Sequence, residues 1–200
     1  FDAGLCNLSE IDSVPYDRFR NRIIFPIYNT RGNPIAFGGR SLDVNAKAKY
    51  LNSPETELFD KSQTLYNLKK AKDKISKNEQ IILVEGYMDV ILLSQAGFGT
   101  AVATLGTAIN EKQIEMIWKI SKEPNICFDG DSAGKRAEKK IIEITLPIVS
   151  PEKSLRFCKL PYGKDPDDII NNDGVDKMKK VLENSVPLVK ILWDNLILEK

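Results

Sequence analysis

The sequence predicts an α/β protein with a four-stranded, mostly parallel sheet, preceded by a small basic mixed α+β subdomain and followed by helices. Three observations carry this expectation. From residue 81 onward, apolar runs of strand length alternate with amphipathic helical patterns. The residues before that point carry hairpin chemistry, and the balance of charge changes sign between the two parts.

In chain order, RIIFPIYNTRGNPIAFGGRSL (22–42) reads as two β-branched and aromatic runs around the turn residues of NTRGNP, a hairpin. Residues 43–64 are polar and irregular, and LKKAKDKISK (68–77) is expected to be a solvated helix face. IILV (81–84) begins the regular part as a strand. It is followed by a helix over 87–97 stopped by glycine, a strand over 100–105, and a helix over 110–121. Asn110 with Gln113 three residues on is a capping-box pattern that fixes the start of that helix. NICF (125–128), a helix over 132–146 and a fourth strand over 154–160 complete the alternation, which calls for right-handed βαβ crossovers. From about Asp173 two further helices are expected, the last amphipathic through Leu188, Ile191, Leu192, Leu196 and Leu198. The expected divisions are 1–78, 79–172 and 173–200.

Composition narrows the chemistry. With 42% hydrophobic and 28% charged residues, 200 residues form an ordinary globular core, and no apolar run is long enough for a membrane span. The start FDAGL, without methionine, suggests an excerpt of a longer protein. The three cysteines are widely spaced and read as reduced core or near-core residues. There is no histidine and no CxxC pair, which argues against a zinc site, a histidine general base and a Ser-His-Asp triad. Any metal is therefore expected to be held by oxygen, which favours Mg2+ or Mn2+. Residues 18–80 hold thirteen Lys and Arg against six Asp and Glu, whereas 81–135 hold four against seven. A basic part beside an acidic one suits a polyanion next to a metal site.

The acids of the second part follow strands. Glu85 and Asp89 come after the first in VEGYMD, Asp129 and Asp131 after the third in FDGD, and Asp165, Asp167 and Asp168 after the fourth in DPDD. Taken singly, each string is more simply a turn or a helix cap. Together they deliver acids to the carboxyl edge of one sheet, where open α/β sheets bind ligands. Unneutralised, such a cluster raises the pKa of its members. Divalent ions held there suit phosphoryl or nucleotidyl transfer, and no Walker A loop is present. Gly130 and the SAG after Asp131 are expected to let a helix begin close against a phosphate-bearing ligand.

VEGYMD (84–89) followed by FDGDSAG (128–134) resembles the signature pair of the TOPRIM fold, a Rossmann-like domain found in bacterial-type primases, topoisomerases and some nucleases. RFRNRIIFPIYNTRGNPIAFGGR (18–40), KYLNSPET (49–56), FDKSQTLYNL (59–68), ATLGTA (103–108) and DPDD (165–168) resemble the RNA-polymerase core of DnaG-type primases. The resemblance implies synthesis of short RNA primers on a single-stranded DNA template from NTPs, by divalent-metal-dependent nucleotidyl transfer at a bacterial, cytoplasmic replication fork. It makes Glu85, Asp129 and Asp131 catalytic, and with Asp89, Asp165 and Asp167 metal-binding. Arg40, Lys49 and Lys61, joined by Arg18 and Arg20, face template or nucleotide. Asn52, Tyr87 and Gly106 either line the nucleotide pocket or serve packing and turns, and the hairpin aromatics are better read as core than as stacking faces. The family implies a zinc-binding domain before this region and a replicative-helicase-binding domain after it, neither visible here, and no membrane partner. A TOPRIM nuclease or topoisomerase and a non-catalytic single-strand-binding scaffold remain the alternatives.

Overall fold

The computed structural model describes residues 2–76 and 79–198, the side chains of 195–198 excepted. The chain divides into two units, Phe1–Thr64 and Leu65–Lys200.

In the first unit, β1 (Cys6–Leu8) pairs antiparallel with β2 (Pro15–Asp17), a small ribbon the sequence reading did not anticipate. β3 (Arg22–Tyr28) and β4 (Pro34–Ser41) form the expected hairpin. Its loop is held by Asn29, whose Oδ1 accepts the Arg31 N–H at 2.9 Å and the Asn33 N–H at 3.0 Å, while Gly32 takes a φ of 89°. A third strand, β5 (Tyr50–Asn52), joins β4 antiparallel out of the segment expected to be irregular. Its polar approach hides it, and the Arg22 guanidinium compensates. That group donates to the carbonyls of Ala48 at 2.8 Å and Lys49 at 3.3 Å, anchoring the approach to the hairpin.

The second unit is the α/β part. Helix α1 (Leu68–Lys74) buries Leu68 and Ala71 and leaves most of its lysines outward, as a solvated face requires; Lys77 lies outside the described residues. Then β6 (Ile82–Val84), α2 (Tyr87–Gln95), β7 (Ala101–Ala103), α3 (Glu111–Trp118), β8 (Asn125–Ile126), α4 (Ser132–Thr145) and β9 (Arg156–Phe157) alternate as expected. The capping box at α3 is reciprocal, with Asn110 Oδ1 accepting the Gln113 N–H and Gln113 Oε1 accepting the Asn110 N–H. After β9 come a short turn α5 (Pro166–Asp168), a π-helical stretch Ile169–Asp173, α6 (Val175–Glu183), β10 (Val186–Pro187) and α7 (Leu188–Leu198). The sheet order is β10-β9-β8-β6-β7, and the first four strands in sequence run parallel.

The sheet therefore has five strands where four were expected. β10 is a two-residue edge strand antiparallel to β9, and its Pro187 is tolerable only at such an edge. Contacts from β9 fix it. The Arg156 guanidinium donates to Ser185 Oγ at 2.9 Å and to the Ser185 carbonyl at 2.6 Å, and Leu188 N–H donates to the Leu155 carbonyl.

Period-two geometry splits the core between the two faces. Leu83, Val102, Ile126 and Phe157 turn to the side of Ile114 and Ile117 of α3, Ile141 of α4, and Leu188 and Ile191 of α7. Ile82, Val84, Ala101, Ala103 and Cys127 turn to the side of Val90 and Leu93 of α2 and Met178 of α6. Leu192 packs against the first cluster, while the side chains of Leu196 and Leu198 lie outside the described residues.

Beyond β8 and β9 the chain is clasped loop to loop. Gly130 N–H donates to the Lys164 carbonyl at 2.8 Å, and Gly163 N–H returns a bond to the Gly130 carbonyl at 3.2 Å. A Cβ on Gly130 would stand 2.1 Å from the Pro161 carbonyl oxygen, and one on Gly134 would stand 1.9 Å from that of Asp129. Both glycines thus serve close contact of chain with chain. Gly163, at φ 74°, has nothing within 4 Å of its Cβ position. Gly130→Ala is expected to lower stability by about 2 kcal/mol or more, because backbone must move. Gly163→Ala is expected to cost only ~1 kcal/mol, from φ alone. Urea unfolding of the two variants checks this order, and equal midpoints would disprove the clasp.

Candidate metal centre

β6 hands its chain to Glu85 and α2, β8 to Asp129 and α4, and β9 to the loop carrying Asp165. Because β6 and β9 flank β8, three loops meet at one edge. Glu85 Oε1 accepts the Asp129 backbone N–H at 3.1 Å, so the first acid orients the strand end that presents the second.

Most of the acids are also caps. Asp131 Oδ1 accepts from the Ala133 and Gly134 N–H groups at 2.7 and 2.8 Å and starts α4. Asp89 Oδ2 accepts from Gly86 N–H at 3.1 Å at the start of α2. Asp165 Oδ1 accepts from Asp168 N–H at 2.7 Å, and Asp168 Oδ2 returns a longer bond to Asp165 N–H, with Pro166 in the first turn. Asp167 is held by the Asn171 side-chain amide. Lys164 pairs with Asp173 at 2.6 Å behind this loop.

Asp129 differs. Its Oδ1 is buried and, among the described residues, has no hydrogen-bond partner. Burial first, then the charges of Glu85, Asp89, Asp165 and Asp131, push its carboxyl from the usual 3.8 up to about 7. Burial likewise lifts Asp89 to about 6, helped by Asp165, Asp167 and Glu85 and opposed by the Gly86 N–H. Glu85 is raised by burial and by Asp131, against the pull of the Asp129 N–H.

The acids therefore share one field. They are not closed into a ligand cage: among the described residues, no group of three His, Cys, Asp or Glu side chains is gathered around a single point. The donor set nonetheless fits a hard cation. It is all oxygen, it is destabilised by its own charge, and it contains a buried oxygen that no donor among the described residues satisfies.

The expected template and nucleotide residues fall in both units. In the first, Arg18 donates to the Asn52 carbonyl at 2.9 Å and to Asn7 Oδ1 at 3.4 Å. Arg20 lies 4.8 Å from the Tyr16 ring centroid and Lys49 lies 5.8 Å from that of Tyr50. Arg40 sits on β4 opposite Tyr50, and the Lys61 N–H donates to the Glu55 carboxylate. Phe19 packs edge-on against Phe37 at 6.4 Å. In the second unit, Tyr87 is buried with its ring 5.6 Å from that of Tyr66, and exposed Gly106 takes a φ of 76°. Sequence reasoning missed Arg22 and the clasp at Gly130; for Gly130 the available signal was a glycine fixed between two aspartates.

The DNA primase catalytic core, N-terminal domain, matches residues 1–72, and the Toprim domain matches 79–156. The chain is 44% identical to a DNA primase of Pseudomonas aeruginosa over 199 residues, covering 99% of this chain and 30% of that protein. It is also 44% identical to a DNA primase of Rickettsia felis, covering 96% and 32%. It thus spans about a third of the length of these curated relatives. Among solved structures, a DNA primase domain from Pseudomonas aeruginosa superposes with a TM-score of 0.92 at 44% identity, covering 99% of this chain and 62% of that one. A DnaG primase catalytic domain bound to ssDNA gives 0.90 at 39%, covering 99% and 61%. Both the Toprim domain and the primase likeness imply a divalent metal, and with two adjoining family domains and 44% identity to primases, the chain belongs to the DnaG-type DNA primase family.

Proposed function

We propose that this chain is part of the RNA-polymerase core of a bacterial primase, which makes short RNA primers on single-stranded DNA by Mg2+- or Mn2+-dependent nucleotidyl transfer from NTPs. In this reading it works in the cytoplasm at the replication fork, alongside the replicative helicase. The observation that carries the proposal is the buried, unpartnered Oδ1 of Asp129 among acids that raise one another's pKa. The ssDNA in a related catalytic domain supports the choice of template.

Glu85, Asp129 and Asp131 would hold the ion, with Asp89, Asp165 and Asp167 beside them. When bound, the ion neutralises phosphate oxygens and makes an attacking hydroxyl more acidic. Glu85 holds the Asp129 backbone in place through the N–H bond, and Asp131 fixes the first turn of α4 with one oxygen. Arg20, Arg40, Lys49 and Lys61 supply phosphate contacts for the strand or nucleotide, and Arg18 shapes that surface by holding Asn52. In the second unit Tyr87 and Gly106 line or support the nucleotide pocket, and in the first Asn52 belongs to the nucleic-acid or nucleotide surface. A nuclease or topoisomerase would use the same acids to break a phosphodiester, but the primase core match beside the Toprim domain does not favour it.

Asp129→Asn is expected to weaken Mn2+ binding to this chain at least about tenfold by calorimetry. It should also lower primer synthesis by a complete core on single-stranded DNA by about 100-fold. Near-wild-type synthesis would remove Asp129 from the mechanism.

The pH dependence has a defined sign. Carboxyls raised on folding bind protons more tightly in the folded chain than in the unfolded one, so their contribution favours folding most below the usual 3.8 and is lost as pH climbs through about 6 for Asp89 and about 7 for Asp129. The metal-free chain should therefore lose Tm between pH 5 and pH 8, and MgCl2 should restore more Tm at pH 8 than at pH 5. Thermal melts across that range, with and without the ion, decide it.

A further inference from the structure

The loop between β9 and the DPDD turn carries a tyrosine for which the fold has no use. Tyr162 is 82% exposed, on a loop whose neighbours are fixed on both sides. Pro161 abuts Gly130, Gly163 N–H donates to the Gly130 carbonyl, and Lys164 is bonded both through its carbonyl to Gly130 and through its ammonium to Asp173. An exposed aromatic on a free loop would be an ordinary surface residue. This one is presented from backbone tied to the DGD turn, three residues before Asp165. Lys135, in the first turn of α4, places its ammonium 5.8 Å from the Tyr162 ring centroid, within cation–π range. A flat apolar ring, a cation beside it and a neighbouring acidic edge suited to a divalent ion are together the complement of a nucleotide: base, phosphate and metal-bridged phosphate.

We propose that Tyr162 is a stacking platform for a nucleobase at the edge of the carboxylate site, with Lys135 steadying the ring and offering charge to the adjoining phosphate. The base belongs either to a single-stranded nucleic acid or to a free nucleotide, and both present the same π-face. The inference rests on the reading of the chain as a primase core and adds a residue to its substrate surface. Because Tyr162 is almost wholly exposed, its replacement leaves the core intact.

The test uses this chain with Tyr162 as it stands and as Tyr162→Ala, Tyr162→Phe and Tyr162→Trp. Binding of a labelled oligothymidylate is followed by fluorescence anisotropy, and binding of ATP or GTP with MgCl2 by calorimetry. Alanine is expected to weaken one of the two ligands about tenfold at unchanged Tm, with phenylalanine within about twofold of tyrosine and tryptophan equal or tighter. The salt dependence of oligonucleotide binding should stay the same in Tyr162→Ala, because no phosphate contact is removed at position 162. Which ligand weakens assigns the base to the strand or to the free nucleotide. Wild-type binding of both ligands by Tyr162→Ala, or an equal loss in Tyr162→Phe, overturns the platform alone. Failure of unaltered chain to bind either ligand overturns the platform together with the primase reading.

Discussion

The repulsion among carboxylates at one sheet edge is the constraint around which the second unit is arranged. Glu85, Asp89, Asp131, Asp165 and Asp167 each raise a neighbouring carboxyl, and among the described residues Glu85, Asp89, Asp129, Asp131 and Asp165 have no lysine or arginine within ion-pair reach. A fold selected only for stability would place a cation there or disperse the acids, since a carboxyl driven to about 7 opposes folding at neutral pH. The chain instead gives the acids backbone N–H groups. Those donors lower part of the cost without cancelling the charge, so the edge keeps its attraction for a divalent ion.

Holding such an edge together takes very little strand. β8 and β9 are two residues each, and the ladder between them would not fix the position of loops that repel each other. The clasp supplies what the ladder lacks. Bonds between Gly130 and the 161–164 loop continue the alignment of β8 with β9 beyond the last strand residues, and the missing Cβ lets the two backbones close to a distance no other residue permits. Gly134 does the same one turn later, letting α4 start against the Asp129 carbonyl. Spacing between the FDGD and DPDD acids is thus set by backbone contact.

What was legible in the sequence follows from the range of each signal. Apolar runs such as IILV (81–84) alternating with helical patterns, the Asn110 to Gln113 spacing and the recurrence of acids after strands are local patterns, and they located the parallel strands, the α3 cap and the acidic edge. β5, β10 and the β1–β2 ribbon were not legible, because, unlike the equally short parallel strands, they are not apolar runs set between helical patterns and exist through partners distant in sequence, as Arg156 with Ser185 shows. Arg22 was hidden for a related reason. Its composition says only that it is basic, whereas its role is decided by the carbonyls of Ala48 and Lys49. Arg18 has the same ambiguity, and its guanidinium also lies on backbone, at Asn52.

The two readings of the acidic strings, cap or cation site, prove compatible, because a carboxylate has two oxygens. Asp131 and Asp165 each use Oδ1 on their own helix start. A cap of this kind fixes the side-chain torsion, which removes most of the rotamer entropy that binding an ion would otherwise cost. Asp129, with no cap to make and one oxygen left unpartnered, is then the member whose charge is least compensated by the protein. A hierarchy follows from these contacts: the capped acids define where a cation can sit, and Asp129 supplies the strongest reason for one to be there.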